Sequence, residues 1–153
     1  MAQVTHSIDV DVPVSRAYNQ WTQFETFPQF LGFVDSIVQL TDTLTRWKVT
    51  IGGAEREFDA EITEQHSDER IAWKSVGGDA VHAGVVTFQA LSPDSSRVSV
   101  QLDWAADTFL EKVGAALGVD DHAVIHDLEN FKLFIENAQT STGAWRGDVP
   151  TKP

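Results

Sequence analysis

Between residues 34 and 104 apolar and polar residues alternate in run after run, with only short turn segments between them, and no other feature of the chain limits its fold so strongly. The runs are VDSIVQL, TRWKVTI, EREFDAEIT, RIAWKSV, VHAGVVTFQAL and SRVSVQLDW, broken by segments such as TDT, GGA, HSDE, GGD and SPD. In EREFDAEIT, Glu55, Glu57, Asp59, Glu61 and Thr63 share one parity, and Arg56, Phe58, Ala60 and Ile62 share the other. A strand with that pattern has one face in water and one turned inward. Turns this short join antiparallel neighbours, so the expectation is a meander. An earlier strand is read in VTHSIDVDV, where Val4, His6, Ile8 and Val10 alternate with polar residues.

Pro13 opens PVSRAYNQW as a helix would be opened, and TFPQF, broken by Pro28, predicts a second short helical turn. Phe24, Phe27, Phe30 and Phe33 crowd that turn and are expected in the core. Near the C-terminus the period becomes helical, with Leu117, Val124, Leu128, Phe131, Ile135 and Ala138 on one stripe. Gly118 and the following Asp pair interrupt an earlier helical stretch over 108–117, and Asp120 is placed to cap the longer helix. A chain of 153 residues, 42% of them hydrophobic, makes one domain, expected over residues 1–140. The tail STGAWRGDVPTKP, residues 141–153, has no period and is expected to be partly mobile. A sheet of about seven twisted strands has a concave apolar face, and one helix ~10 Å across cannot fill it, so a cavity between sheet and helix is the expected consequence.

The formal net charge of −12 opposes nucleic acid or an anionic bilayer as the partner. No run of ~18 apolar residues occurs, so no integral membrane association is expected. With no cysteine there is no disulfide or thiolate chemistry, and a cytoplasmic setting is expected. No cofactor and no protein partner is indicated. His122 and His126 stand four apart on the long helix, but HAVIH lacks the Glu of a zinc hydrolase motif and a third ligand; beside Asp121 and Asp127 they read as a solvated helix face, and no metal is expected. The Gly pairs in VTIGGAE and SVGGDA read as hairpin turns, and no partner is identified for His6 or His66.

Over roughly residues 3–147 the chain resembles the START-like, or SRPBCC, superfamily and, within it, the polyketide cyclase/dehydrase and lipid-transport group that includes coenzyme-Q-binding proteins. The segments that carry the likeness are VPVSRAYNQWTQFETFPQF, WKVTIGGAEREFDAEITEQHSDERIAWKS, GVVTF and DLENFKLFIE. The resemblance implies an α+β helix-grip fold, the birch-pollen-allergen type: a seven-stranded antiparallel sheet wrapped round a long C-terminal helix, with two short helices after the first strand. It also implies a tunnel between sheet and helix. Parity supplies the lining from Trp47, Val49, Arg56, Phe58, Ala60, Trp73, Ser75, His82, Val86 and Trp104, and the helix adds Leu117, Val124 and Leu128. Such a lining suits a small hydrophobic ligand, a lipid, quinone or polyketide, with Arg56, Ser75 or His82 orienting its polar end. Each position also has the plainer reading of a core residue.

The alternative is a polyketide aromatase/cyclase or dehydrase working in the same pocket. Those members are described as carrying Trp-x-Ser-x-Arg on a central strand. Aligned there, this chain has Phe58, Ala60 and Ile62, so the polar pair is missing. The catalytic candidates left are Arg56, Ser75 and His82, the last as a ring titrating near neutral pH. Their plainer readings are a guanidinium reaching solvent at the mouth, a serine near a strand end, and an imidazole bonded to a carbonyl.

Overall fold

Each alternating run becomes a strand because it can bury one face while its backbone donors and acceptors pair with a neighbour. The computed structural model describes residues 2–32, 34–51, 54–78, 82–104, 121–137 and 149. Seven strands are found among them: β1 (Ala2–Val10), β2 (Val34–Gln39), β3 (Leu44–Ile51), β4 (Ala54–His66), β5 (Arg70–Gly78), β6 (His82–Ser92) and β7 (Ser95–Trp104). They form one antiparallel sheet in the order β1-β7-β6-β5-β4-β3-β2. Only β1 leaves sequence order, crossing to pair with β7 in a register that sets Val4 opposite Leu102 and Ile8 opposite Val98.

Irregular register bends the sheet. The thirteen-residue β4 shifts against β5 between Asp59 and Ala60 and again between Ile62 and Glu64, and an extra residue at such a point increases local twist. At the end of β5, Gly78 has φ 115° and lies so close to β4 that a Cβ there would stand 2.6 Å from the Glu57 carbonyl oxygen. Only glycine fits that approach.

The short helices sit at the concave side. α1 (Val14–Trp21) follows Pro13 as the sequence predicts and buries Ala17, Tyr18, Gln20 and Trp21. The segment Phe24–Gln29 is a 3-10 helix that contains Pro28. Phe24, Phe27 and Phe30 are buried as expected, and Phe33 lies outside the described residues.

The long helix α2 (Asp121–Asn137) buries Val124, Leu128, Phe131 and Ile135, the expected stripe; Leu117, Ala138, Asp120 and the 108–117 stretch lie outside the described residues. Its two halves are held differently. In the C-terminal half Lys132 Nζ donates to the Asp9 carbonyl at 2.9 Å, Glu136 Oε2 accepts from the Asp11 N–H at 2.8 Å, and Arg16 Nη2 donates to the Ile135 carbonyl at 2.9 Å. Phe131 packs there against Trp21 and Phe30, with ring centroids 5.2 and 5.1 Å away. The N-terminal half is tied through Asp127, whose Oδ1 accepts from the Gly32 N–H at 3.1 Å.

Of the C-terminal tail the structure describes Val149. It exchanges two backbone hydrogen bonds of 2.8 Å with Gln65 and packs on the core. Among the described residues no helix is long and apolar enough to cross a membrane.

Candidate functional site

Trp47 on β3, Phe58 on β4, Trp73 on β5 and His82 on β6 come to one place because they share inward parity on consecutive strands. Trp47 stacks on Phe58 at 5.6 Å and meets Trp73 at 5.6 Å and His82 at 5.8 Å. Phe24 and Phe27 close over this group from the 3-10 helix, their ring centroids 6.1 and 6.3 Å from Trp73. Offset and edge-to-face contacts of this kind add to the stabilisation from burial alone.

The polar atoms in this wall are bonded to one another. Trp47 Nε1 donates to Thr45 Oγ1 at 2.8 Å, and that hydroxyl donates to the Ala60 carbonyl at 3.0 Å. Trp73 Nε1 donates to His82 Nε2 at 3.1 Å, and His82 Nδ1 lies 3.0 Å from the Asp103 carbonyl oxygen. An indole N–H can only donate and a carbonyl can only accept, so the imidazole is the neutral tautomer with its proton on Nδ1. The His82 N–H in turn donates to Ser75 Oγ at 3.0 Å. Burial pushes the imidazole down to about 4 against a weaker opposing pull from the Asp103 carbonyl, so the ring is uncharged at neutral pH. The expectation of a ring titrating near neutral pH is thereby corrected, and for His82 the plainer reading of a carbonyl-bonded imidazole is observed.

Trp73 lies flat across β6 because residue 84, opposite it in register, is glycine. A Cβ there would fall well inside contact distance of Trp73 Cζ2 and Cε2. The role of Gly84 as the seat of an indole follows from the register.

The candidate lining residues divide into two groups. Trp47, Val49, Phe58, Ala60, Trp73, His82, Val86, Val124 and Leu128 are each no more than 3% exposed, so this part of the inner face is closed to solvent. Ser75 is half-buried beside His82. Arg56 is elsewhere, four residues and so about 13 Å along β4 from Ala60, the residue that pairs with Ser75. It stands half-buried in an open cleft of about 500 Å³ with Asp35, Lys48, Val49, Thr50, Glu55 and Glu57, and its Nη1 donates to the Glu55 carbonyl at 2.8 Å. The structure therefore joins Ser75 to His82, and the backbone of Arg56 lies farther along β4. The side chains of Trp104 and Leu117 lie outside the described residues.

Asp127, read as part of a solvated face, and His66, for which no partner was identified, behave otherwise. Asp127 is 6% exposed, not solvated, and burial raises its carboxyl to about 6 against the lowering effects of the Gly32 N–H and of His126. His66 meets the Glu64 carboxylate at 3.3 Å. Among the described residues no three acidic or histidine side chains are grouped to hold a metal ion; His126 is exposed, and the side chain of His122 lies outside them.

A curled antiparallel sheet closed by a C-terminal helix, with an aromatic inner wall, defines the START-like helix-grip class. A START superfamily protein from Mycobacterium smegmatis superposes with a TM-score of 0.70 at 17% identity, over 88% of this chain and 97% of that one. The Zhui aromatase/cyclase from a Streptomyces species superposes equally well, with a TM-score of 0.70 at 13% identity, over 94% and 99% of the two chains. In sequence, an uncharacterised 17.2 kDa protein of Streptomyces lincolnensis, from the melC2-rnhH intergenic region, is 55% identical over 149 residues, covering 97% of this chain and 99% of that protein. Residues 10–133 match the model of the family described as polyketide cyclase / dehydrase and lipid transport. The chain belongs to that family.

Proposed function

We propose that the protein binds and carries a small hydrophobic ligand, a lipid, quinone or polyketide, taken up between the concave face of the sheet and the N-terminal half of α2. The observation that carries this reading is the inner wall itself. It is aromatic and aliphatic, and the Trp47, Trp73 and His82 nitrogens within it are already paired with protein atoms. A wall of that kind offers burial of apolar surface, worth ~25 cal/mol per Å², without presenting a reactive group.

Acid–base catalysis needs a group with a proton to give or a lone pair to use. His82 has neither at neutral pH, since one nitrogen donates to a carbonyl and the other accepts from Trp73. Both His82 ring nitrogens are engaged by protein atoms, which supports carriage over cyclase or dehydrase chemistry.

Native mass spectrometry of freshly purified protein, followed by titration with a hydrophobic reporter dye, tests the reading. Dye should bind near one equivalent per chain and change tryptophan emission. A native protein that carries no ligand and takes up no dye would overturn it.

A further inference from the structure

Trp21, Trp47 and Trp73 are all buried, and the one polar atom of an indole is a donor that normally finds an acceptor. Trp47 Nε1 donates to Thr45 and Trp73 Nε1 to His82. Trp21 Nε1, in a residue 1% exposed, has no hydrogen-bond partner among the described residues. Arg16, Arg70 and Asp103 each bury one unbonded atom as well, but those groups are otherwise engaged, with the Ile135 carbonyl, the Glu64 carboxylate and the Gln101 amide. At Trp21 the whole polar capacity of the side chain is unused. A buried donor in that state is costly, and its retention points to a partner from outside the protein.

The position of Trp21 relates it to the proposed ligand site. It is the last residue of α1, and its ring centroid lies 5.1 Å from Phe27, 5.2 Å from Phe30 and 5.2 Å from Phe131 on α2. Phe27 in turn meets Trp47 and Trp73 of the inner wall at 6.0 and 6.3 Å, so one phenyl ring links the unused donor to that wall. Phenyl rings give an N–H at most a weak interaction, and they offer a water molecule no strong second bond. We propose that Trp21 Nε1 anchors the carried ligand: with Phe27 turned aside, an oxygen acceptor on the ligand takes the indole N–H. These rings provide no charge to balance a carboxylate, so the acceptor is an uncharged one, a ketone or quinone carbonyl. The anchor rests on the carriage reading and adds to it the class of ligand: one with a neutral carbonyl, in preference to a plain hydrocarbon of the same shape.

Duroquinone and durene, a quinone and a hydrocarbon with the same ring and methyl groups, separate the donor from simple burial. In the nitrogen NMR spectrum of the unmodified protein, the Trp21 indole N–H should lie upfield of those of Trp47 and Trp73. Duroquinone should move it downfield and durene should not. Trp21→Phe keeps an aromatic ring without the N–H. It should weaken duroquinone binding about fivefold relative to any change in durene binding, the loss of one hydrogen bond. The indole signal can be assigned through its cross-peaks to Phe27 and Phe131, so the test survives if the variant folds poorly. An unmoved N–H on saturation with duroquinone, equal weakening of both compounds in Trp21→Phe, or a long-lived water held on the N–H with and without duroquinone would overturn the anchor. Uptake of durene or of the reporter dye in those cases would leave carriage standing. A protein that takes up none of the three would overturn carriage, and the anchor with it.

Discussion

Gly84 and Trp73 form a pair in which the smallest residue makes room for the largest, and the indole so placed fixes the protonation of His82. Gly84→Ala should push Trp73 off β6 and break its bond to His82, destabilising the protein by about 1–3 kcal/mol through overpacking. Chemical unfolding would give the loss, and a shift in tryptophan emission would show that the indole had moved; unchanged emission would mean that the wall absorbs the methyl elsewhere. Arg56 is the contrasting case, a cation in an open cleft bonded to its neighbour's carbonyl. Arg56→Ala should change stability by no more than about 0.5 kcal/mol, as at most surface sites. If the cleft receives the polar end of a ligand, affinity for a carboxylate-bearing dye should fall by more than that for a neutral one.

At the level of elements, the C-terminal half of α2 is firmly held. Phe131 packs against Trp21 and Phe30 where three hydrogen bonds also fasten the helix. Phe131→Ala should cost about 3–5 kcal/mol, as phenylalanine truncations in filled cores do. Val124 is equally buried but lies in the half tied through Asp127. Val124→Ala should cost less than its volume alone suggests and should alter dye affinity. Urea unfolding and dye titration of both variants check this. Losses in strict proportion to volume, with dye affinity unchanged, would make α2 a uniform cover over an ordinary core.

At the scale of the whole molecule, two strongly shifted groups among the described residues act in opposite senses over nearly the same pH range. His82 is held near 4 in the folded protein against an ordinary 6.5, so the unfolded chain binds the extra proton and stability rises with pH between those values. The full contribution, as much as about 3 kcal/mol, is present above pH 6.5 and lost as pH falls through 4. Asp127 is raised from 3.8 to about 6, so the folded chain binds the extra proton and stability falls as pH rises across that interval. The two should largely offset each other between about pH 4 and 6, leaving a shallow profile in the unmodified protein. Asp127→Asn should expose the rising slope and His82→Gln the falling one, read from urea midpoints at a series of pH values. Parallel profiles for all three proteins would mean that other groups govern acid stability.

The strands, their antiparallel order after β1, the two short helices and the buried stripe of α2 were all legible in the sequence, because period and turn chemistry are local properties of the chain. Trp47, Phe58, Trp73 and His82 could be assigned to one face by counting alone. Counting could not show that their rings meet one another, or that Thr45 and the Asp103 carbonyl satisfy their nitrogens. Those facts depend on inter-strand register, on bulges such as the one between Asp59 and Ala60, and on which residue lies opposite Trp73. Asp127 shows the limit most plainly. Beside Asp121 and His126 it reads as a solvated surface acid, and only the docking of α2 against the Gly32 segment buries it, since desolvation is set by what the fold brings near a group and not by its neighbours in sequence.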